Sequence, residues 1–248
     1  MKLWLLVTIL TVGSTAVSCQ SRSSPTDDSQ RLDKFLKQVA DANSVPIVFG
    51  VLNPDSGDIA LTTYEPTRTF VQIKDGLEPS LRQNVEVHEL FHIQLQHEGY
   101  PSKYPGFGNP SLDDPPRMIL DCISHPMIDS RMRAAGWKPE LLLRSIVDTY
   151  SHEQLPTTDV HKINYQVGIG LDLYCLSLRV GSEEMARVNE RFIGIQPNFV
   201  IIEQKLRNQF GDLSCGDPNA CFQLAKKLRD AVFTPSVLLI NPKTGMPE

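Results

Sequence analysis

Three residues of this chain have the types and spacing of a metal-dependent catalyst: His88, Glu89 and His92, in a His-Glu-x-x-His sequence. Helical residues four apart lie on one face, so both imidazoles could bind one Zn²⁺ ion. Glu89 is rotated by about 100° from His88, which brings its carboxylate beside a water on the metal rather than onto the metal. As a general base it could take that water's proton. The spacing therefore predicts a zinc-dependent hydrolase, and peptide-bond hydrolysis is the reaction that it suits best.

A catalytic zinc site also needs a third protein ligand. We favour His125, which lies on a predicted helix farther along the chain, and Asp121 shares its helix face four residues earlier. Asp121 could be an alternative ligand, or it could accept the free ring N–H of a ligating histidine and fix its tautomer. The sequence leaves these two roles open.

Other zinc-enzyme patterns fit the chain less well. A metzincin needs Gly and His at the positions occupied by Leu95 and Glu98, so that subclass is excluded. A stabiliser for the tetrahedral intermediate is also required, and the sequence does not choose among several candidates. These candidates are His152, His161, Tyr150, Tyr165 and Arg131.

The elements that position these residues follow an α+β pattern, with a small β-rich part before a long helix and further helices. Ser80 and Gln83 predict a capping box that opens the long helix, and Gly99 ends it. Apolar spacing and turn residues predict the other elements. They are a helix over 31–42, strands over 45–52 and 59–64 paired as a hairpin, a strand over 70–73, a loop over 100–116, helices over 117–134, 139–152, 160–180, 183–193, 198–210 and 218–232, and a strand or extended tail over 236–240.

The N-terminus resembles an export signal. Residues 1–18 have one Lys, an apolar stretch too short to span a bilayer, and small residues before a cleavage point. Cys19 fits the acylated cysteine of a lipoprotein, which we place slightly ahead of plain secretion. Residues 19–30 are polar and predict a flexible tether, and residues 31–248 form a single domain. We therefore expect an exported protein of the periplasm or cell envelope, which a lipidated Cys19 could attach to a membrane; the alternative is a secreted protein.

The remaining cysteines agree with export. Cys215 and Cys221 flank a short turn-rich loop and predict a disulfide, which leaves Cys122 to pair with Cys175.

The net charge of −5 argues against nucleic-acid binding, which requires clustered basic residues. We expect a monomer whose partner is a peptide or protein substrate.

The His88–Pro101 stretch resembles the zincin metallopeptidases, in particular small gluzincin-like bacterial proteins whose active-site helix ends in Gly-aromatic-Pro. The segment from His125 to Gly136 is similar to the downstream His-containing helix of such sequences. The resemblance implies a mixed sheet with an active-site helix, a single zinc ion, His88 and His92 as ligands, and Glu89 as the catalytic acid/base. The usual third-ligand Glu is absent, which is a departure from the pattern.

A second hypothesis comes from a different class of protein. The chain could be a non-catalytic envelope lipoprotein that binds a partner, with the histidine pair incidental or structural. Zinc stoichiometry before and after replacement of His88 separates the two hypotheses.

Overall fold

The computed structural model describes residues 27–53, 58–101, 110–152, 159, 161–233 and 237–248. The predicted signal segment, Cys19 and the first part of the tether lie outside these residues. The fold is α+β, as predicted. In chain order its elements are α1 (Asp27–Ala42), β1 (Ile47–Val51), β2 (Ala60–Tyr64), β3 (Thr69–Ile73), α2 (Pro79–His97), α3 (Pro110–Ala134), α4 (Pro139–His152), α5 (Ile163–Ser177), α6 (Ser182–Ile195), α7 (Asn198–Phe210) and α8 (Pro218–Val232).

The three strands form a mixed sheet in the order β1-β3-β2. β3 pairs in parallel with β1 and antiparallel with β2, so the predicted hairpin of the first two strands is wrong. The physical reason is burial: Val71 and Ile73 of β3 are fully buried, and the most buried strand takes the centre of the sheet. One face of the sheet packs on α2, where Val85, Leu90 and Ile93 contribute to a shared core.

The helix α2 contributes to two hydrophobic cores. The sheet covers one side, and α3 covers another through contacts among Phe91, Leu95, Ile128 and Met132. The helix begins at Pro79, and its N-cap Glu78 makes no side-chain capping hydrogen bond, so the predicted capping box is wrong. A proline fits the first helical position because its fixed φ is helical and its missing N–H has no partner there.

The helix α3 is longer than the sequence predicted. It begins at Pro110, so residues 110–116 are helical although they were expected to be loop, and residues 102–109 lie outside the described part. Pro115 and Pro116 lie inside the helix, where each removes a backbone donor, which explains why the segment lacks a helical signature. The helix α1 likewise begins at Asp27, four residues before its predicted start, and so includes the end of the predicted tether.

Two disulfides fasten the helical part, and both pairings match the prediction. Cys122 of α3 is bonded to Cys175 of α5, with their Cα atoms 4.8 Å apart. Cys215 is bonded to Cys221 at the start of α8. At the chain's end, Ile240 makes an isolated antiparallel bridge with Pro247, consistent with an extended tail. Among the helices that the structure describes, none is both long and apolar enough to cross a membrane.

Candidate metal centre

The candidate site lies on the part of α2 that lines a cavity. His88 and Glu89 are buried, at 4% and 7% exposed. The apolar neighbours Val87 and Leu90 are fully buried in the cores on either side, and they fix the rotation of the helix about its axis. The His-Glu-x-x-His sequence therefore lies on a helix, as predicted, and its polar face is held in place by packing.

Three histidines from two helices converge at this point. The Nε2 atoms of His88 and His92 lie 3.2 Å apart. The ring of His125, from α3, has its centroid 5.0 Å from that of His88 and 5.1 Å from that of His92. One ligand atom from each ring lies within 4.8 Å of the others, so the group could hold a metal ion. His125 thus joins the predicted pair.

The spacing of the two α2 histidines fits a tetrahedral metal ion. Nitrogens bound at about 2.0–2.1 Å to a tetrahedral zinc ion are about 3.3–3.4 Å apart, close to the spacing of the two α2 histidines. The Nδ1 atom of His88 is buried and has no hydrogen-bond partner among the described residues. A metal ion bound to Nε2 of His88 would leave the proton of the neutral ring on this Nδ1 atom.

Burial also keeps the imidazoles neutral, which is the form that binds metals. It holds the pKa of His88 and of His125 well below the usual value, and neighbouring positive charge from Arg179 adds to the effect. Burial lowers the pKa of His92 to about 4, again with a contribution from Arg179. Each of the three imidazoles is therefore neutral near pH 7, with one unprotonated ring nitrogen that can bind a metal ion.

Glu89 lines the same cavity as the three histidines. Its Oε2 atom accepts a hydrogen bond of 2.6 Å from the hydroxyl of Thr62 on β2. Burial raises the pKa of Glu89 to about 7; the Thr62 hydrogen bond opposes this rise, and the charges of Asp121 and Asp58 add to it. A carboxyl group that titrates near neutral pH can both accept and return a proton.

Asp121 lies beside the histidines but outside the group of three. Its Oδ1 atom is 3.8 Å from Nε2 of His125, one turn away on α3, and its side chain is 34% exposed. Burial among cavity residues raises its pKa to about 6, against the lowering effect of Arg117 and Arg179. The separation between Oδ1 and Nε2 is longer than a hydrogen bond, so Asp121 is a neighbour of His125 without a direct bond to it.

A buried arginine, Arg179, also reaches the site, and no pattern in the sequence indicated it. Its Nη1 atom lies 3.3 Å from Nδ1 of His125, while Asp129 binds the rest of the guanidinium. An arginine nitrogen can only donate, so the contact corresponds to a ring whose proton is on Nε2. For His125 to bind a metal through Nε2, that proton must move to Nδ1 and the Arg179 contact must open.

The group lies in the wall of a cavity of about 1380 Å³. Tyr150 and Tyr165, two of the predicted oxyanion stabilisers, line this cavity. The other three have partners elsewhere: Arg131 pairs with Glu98, His152 bonds to the backbone oxygen of Asp148, and His161 lies beside Gln196.

Comparison with family models, with curated proteins and with solved structures finds no match to this chain. A functional assignment therefore rests on the chemistry of the site.

Proposed function

We propose that this chain is a zinc-dependent hydrolase, and specifically a peptidase, with His88, His92 and His125 as the metal ligands and Glu89 as the general base. The observation that carries the proposal is the convergence of three neutral histidines from α2 and α3 beside a buried carboxyl group. An incidental histidine pair on a helix surface would have no reason to lie beside a third histidine from another helix.

Each residue has a defined task. The three histidines supply neutral nitrogen ligands, which leaves a fourth position open for water or substrate. Zinc, when bound, polarises a carbonyl group and makes a coordinated water more acidic. Glu89 accepts the proton of the attacking water and returns it to the leaving amine, a role that suits its pKa of about 7. Tyr150 or Tyr165, which both line the cavity, donates a hydrogen bond to the developing oxyanion.

The size and lining of the cavity support an extended substrate. Its volume exceeds the range of about 300–1,000 Å³ that is usual for small-molecule pockets. Apolar side chains such as Val85, Leu142 and Ile146 alternate with polar ones in the wall. A peptide offers both apolar side chains and backbone hydrogen-bonding groups, and so matches this mixed surface.

The proposal includes export to the cell envelope. The two disulfides support an oxidising compartment, because structural disulfides persist there and are rare in the cytosol. Signal cleavage after residue 18, lipidation of Cys19 and a monomeric state complete the proposal.

The test combines metal analysis with turnover of an unbiased peptide library. The purified protein should contain one zinc ion per chain and cleave peptides. Glu89→Gln should keep the zinc and abolish turnover, whereas His88→Ala should lose both. His97→Ala is the matched control, because His97 is exposed at the end of the same helix and bonds to Asn43, and it should change neither.

The outcomes separate the alternatives. One equivalent of zinc without any turnover would favour a non-catalytic envelope lipoprotein with a structural metal site. Protein that takes up no zinc, or a Glu89→Gln variant with full activity, would contradict the proposed mechanism.

A further inference from the structure

A single hydrogen bond links the sheet to the carboxyl group of Glu89. The hydroxyl of Thr62, on β2, donates to Oε2 of Glu89 over 2.6 Å. Such a length is typical of a hydroxyl that donates to a carboxylate, and these bonds are roughly twice as strong as neutral ones. The two residues are 27 positions apart in sequence, so tertiary structure alone creates the contact.

The sheet fixes the direction of the Thr62 side chain. Thr62 is paired with the fully buried Val71 of β3, so its side chain lies on the sheet face that packs on α2. Thr63, the next residue, points to the opposite face and is exposed. Branching at Cβ further restricts the rotamers of Thr62, so its hydroxyl is presented to Glu89 at little entropic cost.

The contact determines which carboxylate oxygen of Glu89 remains available to accept a proton. A carboxylate rotates about its last torsion in a broad energy well, so an unrestrained Glu89 would sample many orientations. With Oε2 held by Thr62, Oε1 is the atom left to meet a water molecule in the cavity, which both residues line. A general base must lie within hydrogen-bond reach of the proton that it takes.

We propose that Thr62 is a positioning residue that orients the Glu89 carboxylate for proton transfer. The inference rests on the proposed hydrolase function. It assigns a role in catalysis to a residue of the sheet that neither binds the metal nor meets the substrate's reacting atoms.

The experiment compares Thr62→Val, Thr62→Ser and, as the matched control, Thr63→Val on the exposed face of the same strand. Valine keeps the shape of threonine and removes the hydroxyl. A misplacement of about 1 Å can cost about 100-fold in rate, so Thr62→Val should lower kcat by about 10- to 100-fold. Zinc content should stay unchanged, because Thr62 is not among the proposed ligands. KM should stay unchanged, because the Thr62 hydroxyl is engaged with Glu89 rather than with the substrate. Thr62→Ser should recover most of kcat, and Thr63→Val should match the wild type.

A purely structural role predicts a different pattern. In that case Thr62→Ser would fail along with Thr62→Val, or KM and zinc content would change together with kcat. Either result, or a Thr62→Val variant with wild-type kcat, would overturn the inference.

Crystal structures of the zinc-loaded wild type and of Thr62→Val separate this inference from the proposed function. Wild-type protein that binds zinc but cleaves nothing refutes the hydrolase proposal. The two structures still decide the role of Thr62: a Glu89 carboxylate that rotates in the variant supports it, and one that stays in place overturns it.

Discussion

Both carboxylate oxygens of Asp129 bind the guanidinium of Arg179, with Oδ2 at 2.7 Å from Nε and Oδ1 at 3.1 Å from Nη2. The two side chains are almost completely buried, at 2% and 5% exposed. Asp129 belongs to α3, one turn beyond His125, and Arg179 follows the end of α5. The pair therefore joins α3 to the segment that follows α5, beside His125 of the candidate metal centre.

Replacement of Asp129 by Asn should be strongly destabilising, because it leaves the Arg179 charge buried without its partner. Loss of one partner from a buried ion pair costs about 3–5 kcal/mol. The free energy of unfolding in urea measures the effect. Glu140→Gln is the control: it breaks the exposed pair of Glu140 with Arg133, and exposed pairs contribute about 0–1 kcal/mol. Equal losses in the two variants would contradict the importance of the buried pair.

The disulfide between Cys122 and Cys175 should support both stability and metal binding. It closes a loop of 53 residues, for which the chain-entropy model gives about 4 kcal/mol. Cys122 also lies one turn before His125 on α3, so loss of the bond loosens the helix that carries the third ligand. The double variant Cys122→Ala/Cys175→Ala should therefore unfold at lower urea concentration and bind zinc more weakly.

The second disulfide provides the control for that experiment. Cys215 and Cys221 close a loop of only 6 residues, for which the same model gives about 2 kcal/mol. The double variant Cys215→Ala/Cys221→Ala should lose less stability and keep its zinc affinity. If both double variants weaken zinc binding equally, a specific effect of the first disulfide on His125 is refuted.

Local signals were sufficient to predict most of the helices. Amphipathic spacing and flanking Gly and Pro gave 139–152, 198–210 and 218–232, and these are the bounds of α4, α7 and α8. The order of the strands was not predictable in this way. Turn residues after β1 favoured a hairpin, but the burial of Val71 and Ile73, which decides the central strand, depends on packing against α2.

The residues of the candidate site were likewise predictable only in part. His88, Glu89 and His92 form a local pattern, and His125 was found because a third ligand was needed. Thr62 and Arg179 carry no local signature, since each reaches the site from a distant segment. Contacts of this kind arise only when the sheet, α3 and α5 are assembled around α2.

The metal-free protein should lose stability in mild acid because of its buried histidines. His92 has a folded-state pKa of about 4, against 6.5 for an ordinary histidine. Between these values the unfolded chain binds more protons, so stability falls as the pH drops below 6.5 and levels off near 4. The raised pKa values of Glu89 and Asp121 act in the opposite direction, since the folded chain then holds their protons.

A variant isolates the histidine contribution. The free energy of unfolding of His92→Gln, taken relative to that of the wild type, should rise by up to about 3 kcal/mol when the pH is lowered from 7.5 to 4.5. Urea unfolding with a chelator at both pH values measures this difference. A difference in stability that does not change with pH would show that His92 is not held neutral by burial.

Replacement by alanine of two glycines in helices should change the stability of the protein in opposite directions. A Cβ at Gly170 of α5 would lie 2.5 Å from Cγ2 and 2.6 Å from Cβ of Ile202 on α7, and 3.2 Å from the backbone oxygen of Phe199. These atoms are not flexible ends, so α5 and α7 would have to separate. Overpacking of this kind costs about 1–3 kcal/mol.

At Gly194 of α6 a new Cβ meets nothing within 4 Å. Gly194→Ala should therefore stabilise the protein, by up to about 1 kcal/mol, because alanine restricts the unfolded chain more than glycine does. Thermal and urea unfolding of both variants test the pair, and a Gly170→Ala protein as stable as Gly194→Ala would show that the two helices are not in this close contact.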